Sequence, residues 1–454
     1  MKILRKLLTA LLAVSLLTIG CAAAGEGAEA RRMETAADAD AWIAVFLGEH
    51  PEDLEGAWRM TDQMAAAVAG LGGIRGMAQS LAALGTPERI GSAREGEVRG
   101  LKAFYIPCRF SAMSADLILV TKDGAIAGLS TGPYTGDTAE EPASGAFVSR
   151  ELALPVPEMN TELPGTLLMP AGEGPFPAVV LVHGSGPNDR DETLMSLKPF
   201  RDLAEGLAER GIAVYRYDKR TYVCSAQMAA DPGITPEDET IRDAAEAVRL
   251  LAGQDGIDAD RIFVLGHSLG GNLIPAVDRA LRDGPCAARG YIMMAASPRP
   301  LPTLIREQYD FLYSLLPEVT PEQKAEKDAV FAELDRLEDP DALPDGAAVM
   351  GAYPAYWQWL AAYDALGAAL EIDRPCLLLQ GEEDYQVTME DFRIWREALG
   401  EKDNWRLVSF PGLTHPFTPG LKAEASAAYA REAHVDAAVI REIADFIAGI
   451  PGEP

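Results

Sequence analysis

The pattern of hydrophobic positions changes near residue 147. From there onward, short continuous apolar runs alternate with segments in which apolar residues recur every three or four positions. Continuous runs are typical of strands buried on both faces, and the second pattern is typical of amphipathic helices. The apolar runs predict strands at residues 177–184, 212–218, 261–267, 290–297, 375–381 and 405–412. This alternation predicts an α/β fold, a doubly wound and mostly parallel sheet covered by helices on both faces.

One long segment, residues 298–370, interrupts this alternation because it contains no clear strand. We expect an inserted helical cap there. Its stretch 352–366 is rich in aromatic residues that fall on two helical faces: Tyr353, Tyr356, Trp357 and Leu360 on one, and Trp359, Tyr363 and Leu366 on the other. Two apolar faces indicate burial on both sides, so that one face packs on the domain body while the other roofs a pocket. The alternative is that both faces are ordinary core.

The part before residue 147 has a different organisation. Segments with the hydrophobic periodicity of amphipathic helices are followed by strand-like runs at 102–110 and 116–120. Asp123-Gly124 is typical of a hairpin turn. Residues 38–133 are therefore predicted to form a small α+β domain, with helices packed on an antiparallel sheet. In pattern, this segment resembles the small cone-shaped domains similar to nuclear transport factor 2. The polar residues 134–146 are predicted to link it to a second domain, 147–454.

The N-terminal residues 1–21 have the pattern of a bacterial leader. Basic residues precede an apolar run at 7–19, which is short for a membrane span and typical of a secretory signal; an N-terminal core helix is the alternative. The run ends in Thr18-Ile19-Gly20-Cys21, which resembles a lipobox, although the family pattern prefers Leu where Thr18 stands. This resemblance implies that Cys21 is lipidated, that residues 22–37 form a flexible tether, and that the protein is anchored outside the cytoplasm. Plain cleavage and secretion is the alternative.

Composition excludes several classes of partner. The 454 residues carry a formal net charge of −29, which repels nucleic acid and anionic lipid surfaces, so the lipid anchor is the only expected membrane contact. The chain has only five histidines. The remaining cysteines lie far apart, without the spacing of a metal site or a disulfide framework: Cys108, Cys224, Cys286 and Cys376. We expect buried free thiols and neither metal nor cofactor.

The sequence Gly266-His267-Ser268-Leu269-Gly270 stands between a predicted strand and a predicted helix. A serine in this place could cap the helix. The two flanking glycines favour another interpretation, the nucleophile elbow G-x-S-x-G, in which strand and helix backbones approach too closely for a Cβ. Ser268 is therefore the candidate nucleophile.

A nucleophilic serine needs a base and an acid that orients the base. Asp384 follows the predicted strand 375–381, and His415 follows the strand 405–412. Both come after Ser268 in the order serine, acid, histidine, which is the order the elbow fold requires. Glu383 is the competing acid. His434 is the competing base, although its surroundings look helical.

Acyl transfer also needs donors for the developing oxyanion. One candidate is the backbone N–H of Leu269, which opens the helix after the serine. The second should come from the loop 183–192, where we assign the N–H of Ser185, with that of Gly184 as the alternative. The other interpretation of this loop is a plain Gly-Pro turn.

The segments HGSGPNDRDE, YRYDKR, GHSLGG, QGEEDYQV and FPGLTHPF together resemble the α/β-hydrolase superfamily. The likeness covers about residues 147–450 and is greatest to secreted bacterial esterases and to dipeptidyl-peptidase-like or serine-aminopeptidase-like members. It implies a serine hydrolase without a cofactor. Relatives read R-G-x-G-x-S after Y-D-K, whereas Thr221 and Val223 stand here where they have glycines. A loop near the mouth of the site should therefore differ.

These observations predict a serine hydrolase that cleaves a carboxylic ester through an acyl-enzyme on Ser268. If the aromatic cap roofs the pocket, the substrates should be short-acyl or aryl esters. A peptidase or thioesterase using the same three residues is one alternative. An anchored binding protein that has kept the fold without catalysis is another.

Overall fold

The structure, a computed structural model, describes residues 30–81, 84–98, 100–110, 114–132, 145–282, 286–344 and 346–452. The predicted leader with Cys21 and most of the predicted linker 134–146 lie outside the described residues. The chain divides into two compact units, residues 1–142 and 143–454.

The first unit is an α+β unit built around an antiparallel sheet. Its helices are α1 Ala36–Phe46, α2 Asp62–Gly70 and α3 Gly73–Ser80, with a 3₁₀ turn at Pro51–Leu54. Its strands are β1 Pro87–Ile90, β2 Arg94–Val98, β3 Leu101–Phe110, β4 Ser114–Lys122 and β5 Ala125–Gly132. The sheet runs β1-β3-β4-β5, with β2 also paired to β3. Asp123 and Gly124 both have positive φ, 52° and 74°, in the turn between β4 and β5, as a tight hairpin demands.

The predicted tether 22–37 extends too far into this unit. Met33 is buried and its amide donates to the carbonyl of Gly124 at 3.0 Å. Thr35 and Asp38 form a capping box, so helix α1 begins at Ala36. A single buried methionine and one capping box leave no periodic signal in an alanine-rich stretch, which is why the sequence pattern did not reveal this order.

The strands of the second unit are β6 Phe147–Glu151, β7 Leu154–Val156, β8 Thr161–Leu163, β9 Gly165–Pro170, β10 Phe176–Val182, β11 Ala213–Tyr217, β12 Ile257–His267, β13 Gly290–Met294, β14 Cys376–Gly381 and β15 Trp405–Phe410. Strands β7 and β8 form a separate hairpin. The other eight form a mixed sheet in the order β15-β14-β13-β12-β10-β11-β9-β6. Neighbouring strands from β15 through to β11 are parallel, and β9 and β6 add antiparallel pairs at one edge. The predicted mostly parallel α/β fold is confirmed.

Helices cover both faces of this sheet because successive strand residues point to opposite sides. Val180 belongs to the core on the side of the helix Arg242–Ala252, and its neighbour Val179 belongs to the core on the side of the helices Pro199–Ala208 and Ala437–Ala448. The helices are α4 Pro199–Ala208, α5 Arg220–Val223, α6 Ser225–Ala230, α7 Arg242–Ala252, α8 Leu269–Asn272, α9 Ile274–Arg282, α10 Leu301–Ser314, α11 Pro321–Asp335, α12 Pro354–Ala362, α13 Ala365–Leu370, α14 Met389–Leu399 and α15 Ala437–Ala448.

Helices α10 to α13 occupy the segment between β13 and β14, where the cap is predicted. Helices α10, α11 and α12 contribute to a small core of the cap's own that includes Leu334, Leu337, Val349 and Trp357, whereas α13 packs into the core of the sheet. In the described residues of 298–370 there is no strand, only an isolated bridge between Val349 and Ala352.

The strand order reverses between β10 and β12. The chain continues from β10 to β11 on one side and later places β12 on the other side. In open α/β sheets, ligands bind in the crevice that such a reversal leaves at the carboxyl ends of the strands. The loops after Val182 and His267 meet at this point.

Candidate active site

Ser268 occupies a strained turn between β12 and α8. Its backbone has φ 55° and ψ −120°, outside the regions that L-residues normally adopt. A Cβ on Gly266 would lie 2.3 Å from the carbonyl oxygen of Gly270, and one on Gly270 would lie 2.4 Å from that of His183. Only glycine fits these two positions. Ser268 stands at the N-cap position of α8, but its side chain makes no capping hydrogen bond to the helix.

Asp384 and His415 form a buried pair. Nδ1 of His415 lies 2.7 Å from Oδ2 of Asp384, and the two residues are 4% and 1% exposed. The other carboxylate oxygen of Asp384 accepts the backbone amides of Gln386 at 2.7 Å and Val387 at 3.0 Å. These bonds hold the carboxylate in place, so that it fixes the tautomer of His415 with Nε2 free to accept a proton.

Ser268 and His415 lie at the same edge of the sheet but are not hydrogen-bonded to each other within the described residues. The ring of His267, the residue before the serine, is 4.7 Å from the ring of His415 between centroids. Contacts between a nucleophile and its base are often long without substrate and shorten when one binds. The arrangement brings the three predicted residues to one edge and joins two of them directly.

The competing acid and base are engaged elsewhere. Oε2 of Glu383 accepts the backbone amide of Lys422 at 2.7 Å. Nδ1 of His434 lies 2.9 Å from Oδ1 of Asp202, and the His434 side chain is 74% exposed. The expectation that His434 is helical is wrong, because α15 begins only at Ala437, after an Asp436 cap that the alanine-rich pattern obscures.

The loop after β10 lies against the serine. A Cβ on Gly184 would lie 3.1 Å from the Cβ of Ser268. The amide of Gly184 donates to Oε1 of Glu192 at 2.7 Å, so the alternative oxyanion donor is already occupied. The amides of Ser185 and Leu269 hydrogen-bond to no acceptor in the described part of the chain, and both residues line the same cavity as Ser268.

Three buried charged residues that were not predicted from the sequence lie in or near this loop: Glu192, Lys219 and Glu239. Glu192 forms an ion pair with His267, with 2.9 Å between Oε2 and Nδ1. Burial alone would lower the pKa of His267, but the Glu192 carboxylate outweighs burial and raises it above the ordinary value. Burial would likewise raise the pKa of Glu192, and the charge of His267 holds it below its ordinary value. The position of Lys219 directly after an apolar strand was the one signal that the sequence offered.

A cavity of about 750 Å³ opens over Ser268. Its walls include Thr221 of α5, one of the two positions where the sequence pattern led us to expect glycine, Ser225 at the start of α6, and one aromatic face of the cap: Tyr353, Tyr356, Trp357 and Leu360. Trp359 instead stacks on Tyr363 at 5.0 Å and packs against the sheet core. Tyr363 also reaches the cavity wall, although the sequence pattern placed it on the other face. The volume is typical of a small-molecule site.

Other candidate chemistry is sparse in the described residues. Within them, no group of three or more His, Cys, Asp and Glu side chains is placed to hold a metal ion. The thiols of Cys108, Cys224 and Cys376 are free and buried, whereas that of Cys286 is only half-buried, contrary to expectation. Among the helices that the structure describes, none has the length and apolar character needed to cross a membrane.

Comparison with known proteins places this geometry in a family. Residues 179–432 match the Alpha/beta hydrolase family. The chain is 36% identical over 336 residues to "Esterase EstD" of Thermotoga maritima, an alignment that covers 73% of this chain and 76% of that protein. Among solved structures, Est1E from Butyrivibrio proteoclasticus aligns with a TM-score of 0.43 and 18% identity over 66% of this chain and 99% of its own. A hyperthermophilic esterase from Pyrobaculum calidifontis aligns with a TM-score of 0.43 and 18% identity, and the alignment covers 67% of this chain and 87% of that structure's chain. The family match spans more than half of the chain and the relative is similar over most of its length, and the chain therefore belongs to the alpha/beta hydrolase family.

Proposed function

We propose that this protein is a serine hydrolase that cleaves carboxylic esters through an acyl-enzyme on Ser268. The observation that supports this most is the buried His415–Asp384 pair, 2.7 Å apart, at the sheet edge that also presents Ser268 on its strained turn. The relative from Thermotoga maritima is an esterase by name. Within this family the site, rather than the fold, carries the assignment.

The reaction proceeds in two halves. Ser268 Oγ attacks the acyl carbon while Nε2 of His415 takes its proton, and His415 then gives that proton to the leaving alcohol. Water adds to the acyl-enzyme, again with His415 as base, and the acid is released. The Asp384 carboxylate orients the imidazole and stabilises its protonated form.

The oxyanion of each tetrahedral intermediate is bound by the amides of Ser185 and Leu269. The amide of Leu269 is the first of helix α8 and has no acceptor within the helix. Loss of one such donor costs about 10²–10³ in kcat.

The cavity suggests the class of ester. The apolar face of the cap that includes Tyr353 and Trp357 lines it together with Leu301 and Leu304. A space of about 750 Å³ under this cap suits short-acyl or aryl esters better than long lipid chains.

A fluorophosphonate probe and a panel of p-nitrophenyl esters test this function. Wild type should be labelled on Ser268 and should hydrolyse the acetate, and Ser268→Ala should lose both properties while keeping its melting temperature. Parallel assays with matched thioesters and aminoacyl amides decide the alternatives: faster turnover of either would replace the ester assignment. No labelling and no hydrolysis would indicate a binding protein that has kept the fold.

We place the protein outside the cytoplasm, anchored through lipid on Cys21. The support is the leader-like pattern of residues 1–21 and its lipobox-like end. Stable anchoring needs two or more acyl chains, so Cys21→Ser in a bacterial host should move the protein from the membrane fraction to the medium or leave an uncleaved precursor. A wild-type protein that is soluble and free of lipid by mass spectrometry would indicate plain secretion.

A further inference from the structure

Lys219 is a buried lysine beside the loop that carries the oxyanion donor. Its side chain is 2% exposed and lies just after strand β11. The Nζ donates to the carbonyl oxygen of Gly184 at 2.8 Å and pairs with Oε1 of Glu239 at 2.8 Å. A buried ammonium is costly unless it is paired and hydrogen-bonded, so these contacts fix its position tightly.

The carbonyl that Lys219 binds belongs to the peptide unit between Gly184 and Ser185. In the described residues the only cis peptide bond is Gly174–Pro175, so this unit is trans. The C=O and N–H of a planar trans peptide point in opposite directions. A lysine that holds the carbonyl of Gly184 on one side therefore turns the amide of Ser185 to the other side.

The other side is the cavity above the nucleophile. Ser185, Ser268 and Leu269 line it together, and Gly184 is packed so closely that a Cβ on it would lie 3.1 Å from the Cβ of Ser268. Hydrogen bonds to a peptide carbonyl also polarise the unit and strengthen its N–H as a donor. Lys219 thus acts on both the direction and the strength of the Ser185 amide.

We infer that Lys219 is a positioning residue for the oxyanion site, acting through the Gly184–Ser185 peptide. The inference rests on the proposed ester hydrolysis and adds a residue to it. Lys219 does not touch the substrate in this scheme. Its ammonium group fixes the orientation of the Gly184–Ser185 peptide plane before the reaction begins. An oxyanion donor must already be in place at that stage.

Neighbouring contacts show how the lysine is held. The backbone amide of Lys219 donates to the carbonyl of Asn188 at 3.0 Å, which ties the two loops together. Asn188 Nδ2 reaches the same Gly184 carbonyl at 3.3 Å, a weaker contact from a neutral group. On the far side, Tyr356 of cap helix α12 donates to Oε2 of Glu239 at 2.6 Å. Glu239 and Lys219 thereby connect the cap to the Gly184–Ser185 peptide.

The test compares Lys219→Met, which removes the charge and the hydrogen bond, with Lys219→Gln, which keeps a donor. In Lys219→Met we expect kcat on p-nitrophenyl acetate to fall about 10- to 100-fold, less than for deletion of a donor, with KM within about threefold of wild type. The inhibition constant of a trifluoromethyl ketone should rise in parallel with the loss of kcat/KM. This ketone forms a tetrahedral oxyanion adduct with the serine, so its affinity reports on the oxyanion site. Lys219→Gln should recover part of the lost kcat and part of the lost affinity for the ketone.

Arg220→Met is the matched control. Arg220 is also buried, pairs with Asp243, and adjoins Lys219, but within the described residues its guanidinium donates no hydrogen bond to the Gly184–Ser185 peptide. It should lower the melting temperature while leaving the ketone affinity per active site unchanged. A lowered melting temperature alone therefore does not explain the Lys219 result.

Three outcomes of these measurements have different meanings. If Lys219→Met hydrolyses the ester and binds the ketone as wild type does, Lys219 is structural only and the inference fails. If Lys219→Met does not fold, ester hydrolysis and ketone binding by Lys219→Gln decide whether the inference holds. If wild type itself neither hydrolyses esters nor binds the ketone, the proposed function fails and this inference fails with it.

Discussion

Nε2 of His267 lies 3.1 Å from the backbone carbonyl oxygen of His415. The residue before the elbow serine thus holds the loop that carries the candidate base. Nδ1 of His267 pairs with Glu192, whose other oxygen accepts the amide of Gly184. One buried carboxylate therefore connects the nucleophile turn, the base loop and the oxyanion loop.

Glu192→Gln should destabilise the protein in a pH-dependent way. The raised pKa of His267 means that its protonated form stabilises the fold below its ordinary value of 6.5, and that this contribution is lost as pH rises through the higher folded value. The lowered pKa of Glu192 means that its contribution is present above 4.5 and is lost as pH falls through the lower folded value. The difference in unfolding free energy between wild type and variant should be about 3 kcal/mol near pH 5.5 and smaller at pH 9.

Thermal or urea unfolding of both proteins across this range measures the difference. Asp202→Asn, which removes the partner of the exposed His434, is the control and should cost less because solvent screens that pair. A loss of unfolding free energy in Glu192→Gln that is constant with pH, or that grows toward pH 9, would contradict a stabilising role for the Glu192–His267 ion pair.

His415→Ala should lower kcat about 10²–10⁴-fold, the contribution that general acid–base catalysis supplies. His434→Ala is the matched control and should leave kcat near wild type, because its side chain is 74% exposed and pairs with Asp202. Steady-state hydrolysis of p-nitrophenyl acetate measures both. The reverse ranking would assign the base to His434.

Asp384→Asn should lower kcat by a similar factor, because an amide cannot fix the His415 tautomer or stabilise its protonated form. Glu383→Gln should have little effect, since its carboxylate faces the amide of Lys422. The same assay compares them. Equal losses in the two variants would mean that the acid has been assigned wrongly.

The positions of Ser268, Asp384 and His415 could be predicted because each follows a strand whose apolar run is continuous and easily recognised. Parallel strands bring their carboxyl ends to one edge, so that sequence order is enough to bring these residues together. Lys219, Glu192 and Glu239 could not be found in the same way. A charged residue in a loop is usually solvated, and only the folded chain shows that these three are buried around one peptide.

The cap illustrates the other limit of the sequence. Helical periodicity separated Trp357 from Trp359, and in the structure the first lines the cavity while the second does not. Tyr363, which periodicity grouped with Trp359, reaches the cavity because α12 ends at Ala362 and the chain turns. A periodic pattern holds only while the helix continues.

Gly270→Ala should disrupt the nucleophile turn. The added methyl carbon would lie 2.4 Å from the backbone carbonyl oxygens of both Val182 and His183, and backbone atoms cannot move away as a flexible side chain would. We expect a lower melting temperature and loss of fluorophosphonate labelling. Gly253→Ala is the control, because its nearest neighbour would be 3.7 Å away. A Gly270→Ala protein with normal labelling would show that the turn tolerates a Cβ.

Trp357→Ala and Trp359→Ala should separate the cavity wall from the core behind it. Trp357 lines the cavity, is 4% exposed and donates its Nε1–H to the carbonyl of Val349 at 2.9 Å. Trp359 is only partly buried and does not line the cavity, although it stacks on Tyr363, which does. Truncation of a buried tryptophan costs about 3–5 kcal/mol, so Trp357→Ala should melt at a lower temperature, and Trp359→Ala should lose less stability. Only Trp357→Ala removes a side chain that lines the cavity, so only that variant should raise kcat/KM for octanoyl and decanoyl p-nitrophenyl esters relative to the acetate. A uniform loss at all chain lengths in both variants would mean that the aromatic face of the cap does not contact the acyl chain and serves only as core.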